Sequence, residues 1–134
     1  MSVYVQTNQT VLIPNGTPYA VLASDTGKIH LLPLQTAACA ISLPAAAAGL
    51  RYRFIVTSPT TLTGVTTITP AAGTMSGMLI NRGVSAITLA FAVKSGAATT
   101  VFATGCIYGD WLEVICDGTN WNVSGMSQVV TGLV

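Results

Sequence analysis

A chain of 134 residues is long enough to form one domain with its own buried core. Only 7% of its residues are charged, against roughly a quarter in an average soluble domain, while 51% are hydrophobic. Five Lys+Arg against four Asp+Glu give a net charge of +1, which excludes the electrostatic footprint of a nucleic-acid binder or an anionic-membrane binder.

In chain order the elements read as strands and turns. "SVYVQT" alternates, and "TVLIPNG" ends on a Pro-Asn-Gly turn signal. "YAVLAS" runs to Asp25-Thr26-Gly27 and "KIHLLPL" follows, the pattern of two strands around a short turn. "ACAISLP" is a further short strand. "PAAAAGL", residues 44–50, carries helix propensity over only one turn, far short of the roughly 12 residues an isolated helix needs, and reads as a tight connection.

"RYRFIVTS" alternates most clearly: Tyr52, Phe54 and Val56 point one way, Arg51, Arg53 and Ile55 the other. "TTLTGVTTITP" places threonine on both faces around Leu62, Val65 and Ile68. "GMLINRG" ends in an Asn81-Arg82-Gly83 turn. "SAITLAFAV" sets Ile87, Leu89, Phe91 and Val93 against Thr88, Ala90 and Ala92, and Lys94-Ser95-Gly96 then turns the chain into "ATTVFAT".

The last pair is "WLEVIC" and "NWNVSGM". Leu112, Val114 and Cys116 share one face, with Trp111, Glu113 and Ile115 on the other; Trp121 and Val123 share a face after the turn. Asp117-Gly118-Thr119-Asn120 between them is ordinary hairpin chemistry: Asp accepts from nearby N–H groups, Gly supplies positive φ, and Asn tolerates the left-handed region. The apolar tail "SQVVTGLV" docks. The total is nine to eleven short antiparallel strands with no linker or composition break. That predicts an all-β fold, a single-domain β-sandwich over residues 1–134, jelly-roll-like.

No uncharged stretch is apolar enough for a membrane-spanning helix, since Pro, Gly, Gln, Ser and Thr interrupt each one. "MSVYVQTNQT" has no basic region followed by an apolar one, so no secretory signal is expected. Cys39, Cys106 and Cys116 lack metal-ligand spacing and read as small buried hydrophobes of a protein made in a reducing cytoplasm. A Cys106–Cys116 disulfide is the alternative. So little charge leaves a lone chain prone to association, which implies that other chains cover much of its surface.

A search for chemistry finds none. His30, the sole histidine, is flanked by apolar residues and reads as a satisfied structural side chain, with no nucleophile motif to serve. Asp110 and Asp117 fall at opposite ends of one strand, about 23 Å apart at 3.3 Å per residue, too far for a glycosidase pair. Asp110, Glu113 and Asp117 lack the spacing of a calcium loop, and no glycine cluster carries a phosphate-loop Lys-Ser/Thr. The chain is expected to be no enzyme and to hold no cofactor or metal. Arg51 and Arg53 project side by side from one strand face, either solvated or as polar anchors to another subunit. Trp111 and Trp121 suit a core or an interface, and a sugar-stacking platform would need both exposed on one side.

The ordered set "LPAAAAGLRYRFIV", "TITPAAGTMSGMLIN" and "GDWLEVICDGTNWNVSGMS" resembles a module of tailed-bacteriophage virion proteins, found in capsid decoration (cement) proteins and in tail fibre or spike domains. The likeness covers roughly residues 40 to 128. The short chain, with no visible shaft or attachment domain, favours decoration. The resemblance implies a homotrimer on the outer capsid surface of the virion, made in the host cytoplasm, that clamps neighbouring major capsid protein subunits. It leaves Met1–Thr10 and Gln128–Val134 as candidate arms, with Val129, Val130 and Leu133 as apolar contacts and Arg51 and Arg53 as anchors. The alternative is a trimeric tail tip that grips a host glycan through Trp111, Trp121 or Tyr108.

Overall fold

Tyr52, Phe54 and Val56 are fully buried while Arg51, Arg53 and Ile55 are not, the period-2 result expected of a strand with one face on a core. The same alternation governs a computed structural model that describes residues 9–82, 89–129 and 132–134, with backbone alone at 89–92. Among the described residues there are eleven strands: β1 (Thr10–Leu12), β2 (Tyr19–Ala20), β3 (Ile29–Leu32), β4 (Cys39–Ser42), β5 (Arg51–Val56), β6 (Thr66–Thr69), β7 (Met75–Arg82), β8 (Leu89–Ala97), β9 (Thr100–Phe102), β10 (Trp111–Cys116) and β11 (Trp121–Ser127). The fold is all-β, in two sheets. A seven-stranded sheet runs β1-β3-β5-β10-β11-β7-β8 and a four-stranded sheet runs β2-β4-β6-β9.

The expectation of antiparallel pairing throughout is corrected. Five of the nine pairings among the described residues are parallel. Strands β1 to β6 alternate between the sheets, so the chain winds as a coil. Ile29 pairs with Thr10 one coil earlier and with Arg53 one coil later, and Ile41 pairs likewise with Tyr19 and Ile68. Parallel neighbours need a crossover, usually a helix; here a strand of the opposite sheet supplies it. A jelly roll is built from antiparallel Greek keys, so that likeness does not extend to the first six strands.

Two local expectations fail for related reasons. "YAVLAS" does not form a hairpin with "KIHLLPL": β2 stops at Ala20, a 3-10 turn covers Ala23–Asp25, and β2 and β3 lie in different sheets. Lys94-Ser95-Gly96 does not turn. It continues β8 to Ala97, held where the Gly96 N–H donates to Ser76 Oγ at 3.0 Å and Lys94 Nζ donates to the Thr99 carbonyl at 3.1 Å. The turn expected at Asn81-Arg82-Gly83 does not begin there, since Asn81 and Arg82 continue β7 and pair with β8; Gly83, the strand read in "SVYVQT", the facing of Ile87 to Ala92 and most of the N-terminal arm lie outside the described residues.

The closing hairpin forms as read, Trp111 to Cys116 pairing with Met126 to Trp121. Asp117 Oδ1 accepts from the N–H groups of Asn120 (2.7 Å) and Thr119 (2.8 Å), and these bonds hold its carboxyl below the usual carboxylate range. Asn120 Oδ1 also accepts from Thr74, tying the turn to the lead-in of β7. Beside it, β11 runs parallel to β7 at a point where only glycine fits. Gly77 has φ 153°, and a Cβ there would run into the Val123 carbonyl oxygen.

One buried cluster joins the sheets: Tyr52, Phe54, Leu112, Val114, Trp121 and Val123 from the larger, Ile41, Ile68 and Phe102 from the smaller. Each fully buried large side chain contributes about 1.5–3 kcal/mol. The three cysteines are buried and free, as small hydrophobes. Burial pushes the Cys106 thiol up to about 12, so it is protonated and inert.

Candidate functional site

Register across the seven-stranded sheet brings together residues that are far apart in sequence. Leu12 pairs with Leu31, Leu31 with Ile55, Ile55 with Trp111, Trp111 with Met126, and Met126 with Ile80. Paired residues project to the same side of a sheet. Here that side is opposite the core, since the neighbours Leu32, Val56, Leu112 and Leu79 are the buried ones. An apolar row thus crosses six strands on the outward face. Leu12 is 67% exposed and Met126 42%, and the other four are half-buried.

The next row is mixed. Ile29, Arg53, Glu113, Ser124, Met78 and Val93 are in register, with Met78 and Val93 well exposed. Beyond it lie Arg51, Ile115 and Asn122. The Arg51 Nε and Nη2 groups donate to Glu113 Oε2 at 3.2 and 2.9 Å. Arg51 is largely exposed, so this ion pair adds at most about 1 kcal/mol. Arg53 instead lies over the Trp111 ring, 4.7 Å from its centroid. Lys28, at the same end of the sheet, donates to Asp25 Oδ1 at 2.7 Å, and that bond holds the Asp25 carboxyl below its usual range.

Of the expected contact residues, Arg51, Arg53 and Trp111 therefore meet on one outward face. Trp121 does not: it is 1% exposed, packed against Tyr52 in the core, and presents nothing to a partner. The two-tryptophan sugar platform is lost with it. Tyr108 is exposed on the β9–β10 connection.

The C-terminal arm reading is corrected at Leu133. Its side chain is fully buried, it bridges Phe102, and the Asn81 amide clasps its backbone with two 2.9 Å bonds. An apolar residue so near the end lowers its free energy by joining the chain's own core, leaving it nothing to offer a neighbour. Val129 is half-buried beside Gly105, and Val130 lies outside the described residues.

His30 is buried as expected but is not satisfied. Neither ring nitrogen has a hydrogen-bond partner, and Tyr19, Tyr52 and Phe54 surround the ring. Burial lowers its pKa; nearby Asp25 and the Lys28 and Arg53 backbones offset this in part without closing a bond. Asp110 is a buried bracket. It accepts from the Ile107 N–H (3.0 Å), the Ser127 hydroxyl (2.9 Å) and the Gln128 N–H (2.8 Å), so both its oxygens serve the fold. Among the described residues no three metal-ligating side chains cluster, and no helix is long and apolar enough to cross a membrane.

Sequence reasoning missed the apolar row and the Asn81 clasp. The row left one local trace, in that Ile55, Trp111 and Met126 are apolar at outward positions of strands whose inward positions are already filled. No protein-family model matches the chain, and neither a curated protein nor a solved structure does.

Proposed function

We propose that this chain is a non-catalytic structural virion protein, a capsid decoration protein of the tailed-phage kind, that works by association. In this reading it forms a homotrimer, and the outward face of the seven-stranded sheet is the surface through which its copies meet. The apolar row from Leu12 to Ile80 is the observation that carries the proposal. A continuous apolar band of this kind on an outward sheet face marks a contact surface more often than a solvated one. Like copies with a net charge of +1 meet there with little repulsion.

The two sheets then act as the layers of a rigid sandwich that presents the face. The bound trimer ties neighbouring major capsid subunits, with small gains per site multiplied over the shell. Neither nucleic acid nor membrane takes part. The reading as a tail-tip domain that binds glycan rests on exposed Tyr108 and half-buried Trp111 alone.

Co-sedimentation with phage heads stripped of decoration tests the role. A trimer that pellets with heads is the expected result. A trimer that ignores heads and binds a glycan array would overturn it in favour of the tail tip.

A further inference from the structure

Three of the chain's five basic residues converge at one end of the outward face. Lys28, Arg51 and Arg53 line an open cleft of about 240 Å³ together with Gly27, Ile29 and Glu113. In a chain that is 7% charged, this is a marked concentration. The acids present do not satisfy it. Asp25 engages one of the three Lys28 donors, and Glu113 engages two Arg51 nitrogens through a single oxygen.

Arg53 has no such partner. Among the described residues its guanidinium meets no carboxylate, and its Nε is shielded from water without an acceptor. Its guanidinium carbon sits 4.7 Å from the centroid of the Trp111 ring, a contact that restrains the side chain before any ligand arrives. A half-buried cation with no carboxylate of its own, at the wall of an open cleft, gains from an anion that meets its guanidinium from the cleft side.

We infer that this cleft is a carboxylate-binding site, with Arg53 as its principal ligand and Arg51 and Lys28 as flanking charges. A planar two-oxygen anion matches the guanidinium fork. The Glu113 carboxylate, neutralised by Arg51, limits the site to one negative charge and disfavours a polyanion. The apolar row adjoins it through Ile55 and Trp111, so an acidic side chain flanked by apolar residues fits better than a free small acid. The site itself does not depend on whether copies associate through this face. Only the identification of the carboxylate's donor as a protein side chain rests on that reading.

The test is an NMR titration of the ¹⁵N-labelled chain with sodium acetate, against sodium chloride at equal ionic strength. A parallel titration uses a short peptide carrying one Glu between leucines. Saturable shifts confined to the amides of Lys28, Ile29, Arg53 and Glu113 and to the Arg53 Nε–H are expected. Arg53→Gln should weaken binding about tenfold with the spectrum otherwise intact, while Arg53→Lys retains part of it. Arg82→Gln, a control outside the cleft, should change nothing. Peptide binding about tenfold tighter than acetate, with added shifts at Trp111 and Met126, identifies a protein side chain as the source; equal affinity identifies a free carboxylate. Shifts that chloride reproduces, or that survive Arg53→Gln, overturn the site. Each titration is run below the concentration at which light scattering detects association, so it reads a single chain, and failure to form trimers leaves the result unaffected.

Discussion

The Arg53 guanidinium lies 4.7 Å from the centroid of the Trp111 ring, and the two residues stand diagonally across the β5–β10 pair, Arg53 opposite Glu113 and Trp111 opposite Ile55. The contact links the mixed row to the apolar row. A cation over an indole is worth about 0.5–1 kcal/mol where partly solvated. A double-mutant cycle of Arg53→Gln and Trp111→Leu in urea should return a coupling of that size, and additive effects would show the stack to be idle.

Asn81 gives a second, larger prediction. Its amide makes both hydrogen bonds that a neighbouring strand would otherwise make to Leu133. Asn81→Ala leaves a buried N–H and a buried carbonyl without partners, at a cost of about 2–4 kcal/mol. Hydrogen exchange should report the Leu133 amide as the site that loses protection first. Unchanged protection there would contradict the clasp.

His30 fixes the pH dependence. Burial lowers its folded-state pKa below the ordinary value of about 6.5, so between those two values the unfolded chain binds the proton and the folded chain does not. Stability is therefore full above about pH 6.5 and is lost as pH falls from there through the folded value. Asp25 acts in a lower window: Lys28 depresses its pKa, so its contribution is present above the ordinary carboxylate range and fades below it. His30→Phe, surrounded by Tyr19, Tyr52 and Phe54, should flatten the upper window in urea denaturation between pH 7 and 5 and leave the lower one unchanged. An equally steep loss in His30→Phe would place the proton uptake elsewhere.

Gly77→Ala should be among the most damaging single-methyl changes. The added Cβ meets the Val123 carbonyl, backbone against backbone, at a φ that alanine rarely adopts. A loss of about 3 kcal/mol is expected. Gly27→Ala has positive φ but open space around it and should cost less, so equal losses would show that backbone strain alone sets the effect.

The hairpin from Trp111 to Ser127 was legible in full because its strands, faces and turn are all set within a short stretch of chain. The alternation in β5 was legible for the same reason. The coil of β1 to β6 was not, because parallel partners are separated by a strand of the other sheet and leave no turn signature. "YAVLAS" has the composition of a strand, yet only Tyr19 and Ala20 pair as one, with a single further bond from the Val21 N–H to the Ser42 carbonyl. Trp121 and Val123 were correctly placed on one face. Which face was the core depended on β5 and the four-stranded sheet, and no local pattern contains that. The outward row illustrates the same limit, since Leu12, Ile55 and Met126 fall in one row only once register is known.

Association through the outward face is the central claim, and light scattering on the wild-type chain and on Met126→Lys tests it most directly. Met126 is exposed in the single chain, so the substitution should change folding stability by no more than about 0.5 kcal/mol. A charge set in the apolar row should nonetheless break the contact. The account predicts a wild-type mass of three times 13.7 kDa and a folded Met126→Lys variant at the single-chain mass. A wild-type chain that stays at 13.7 kDa at every concentration, or a variant that still assembles, would contradict it.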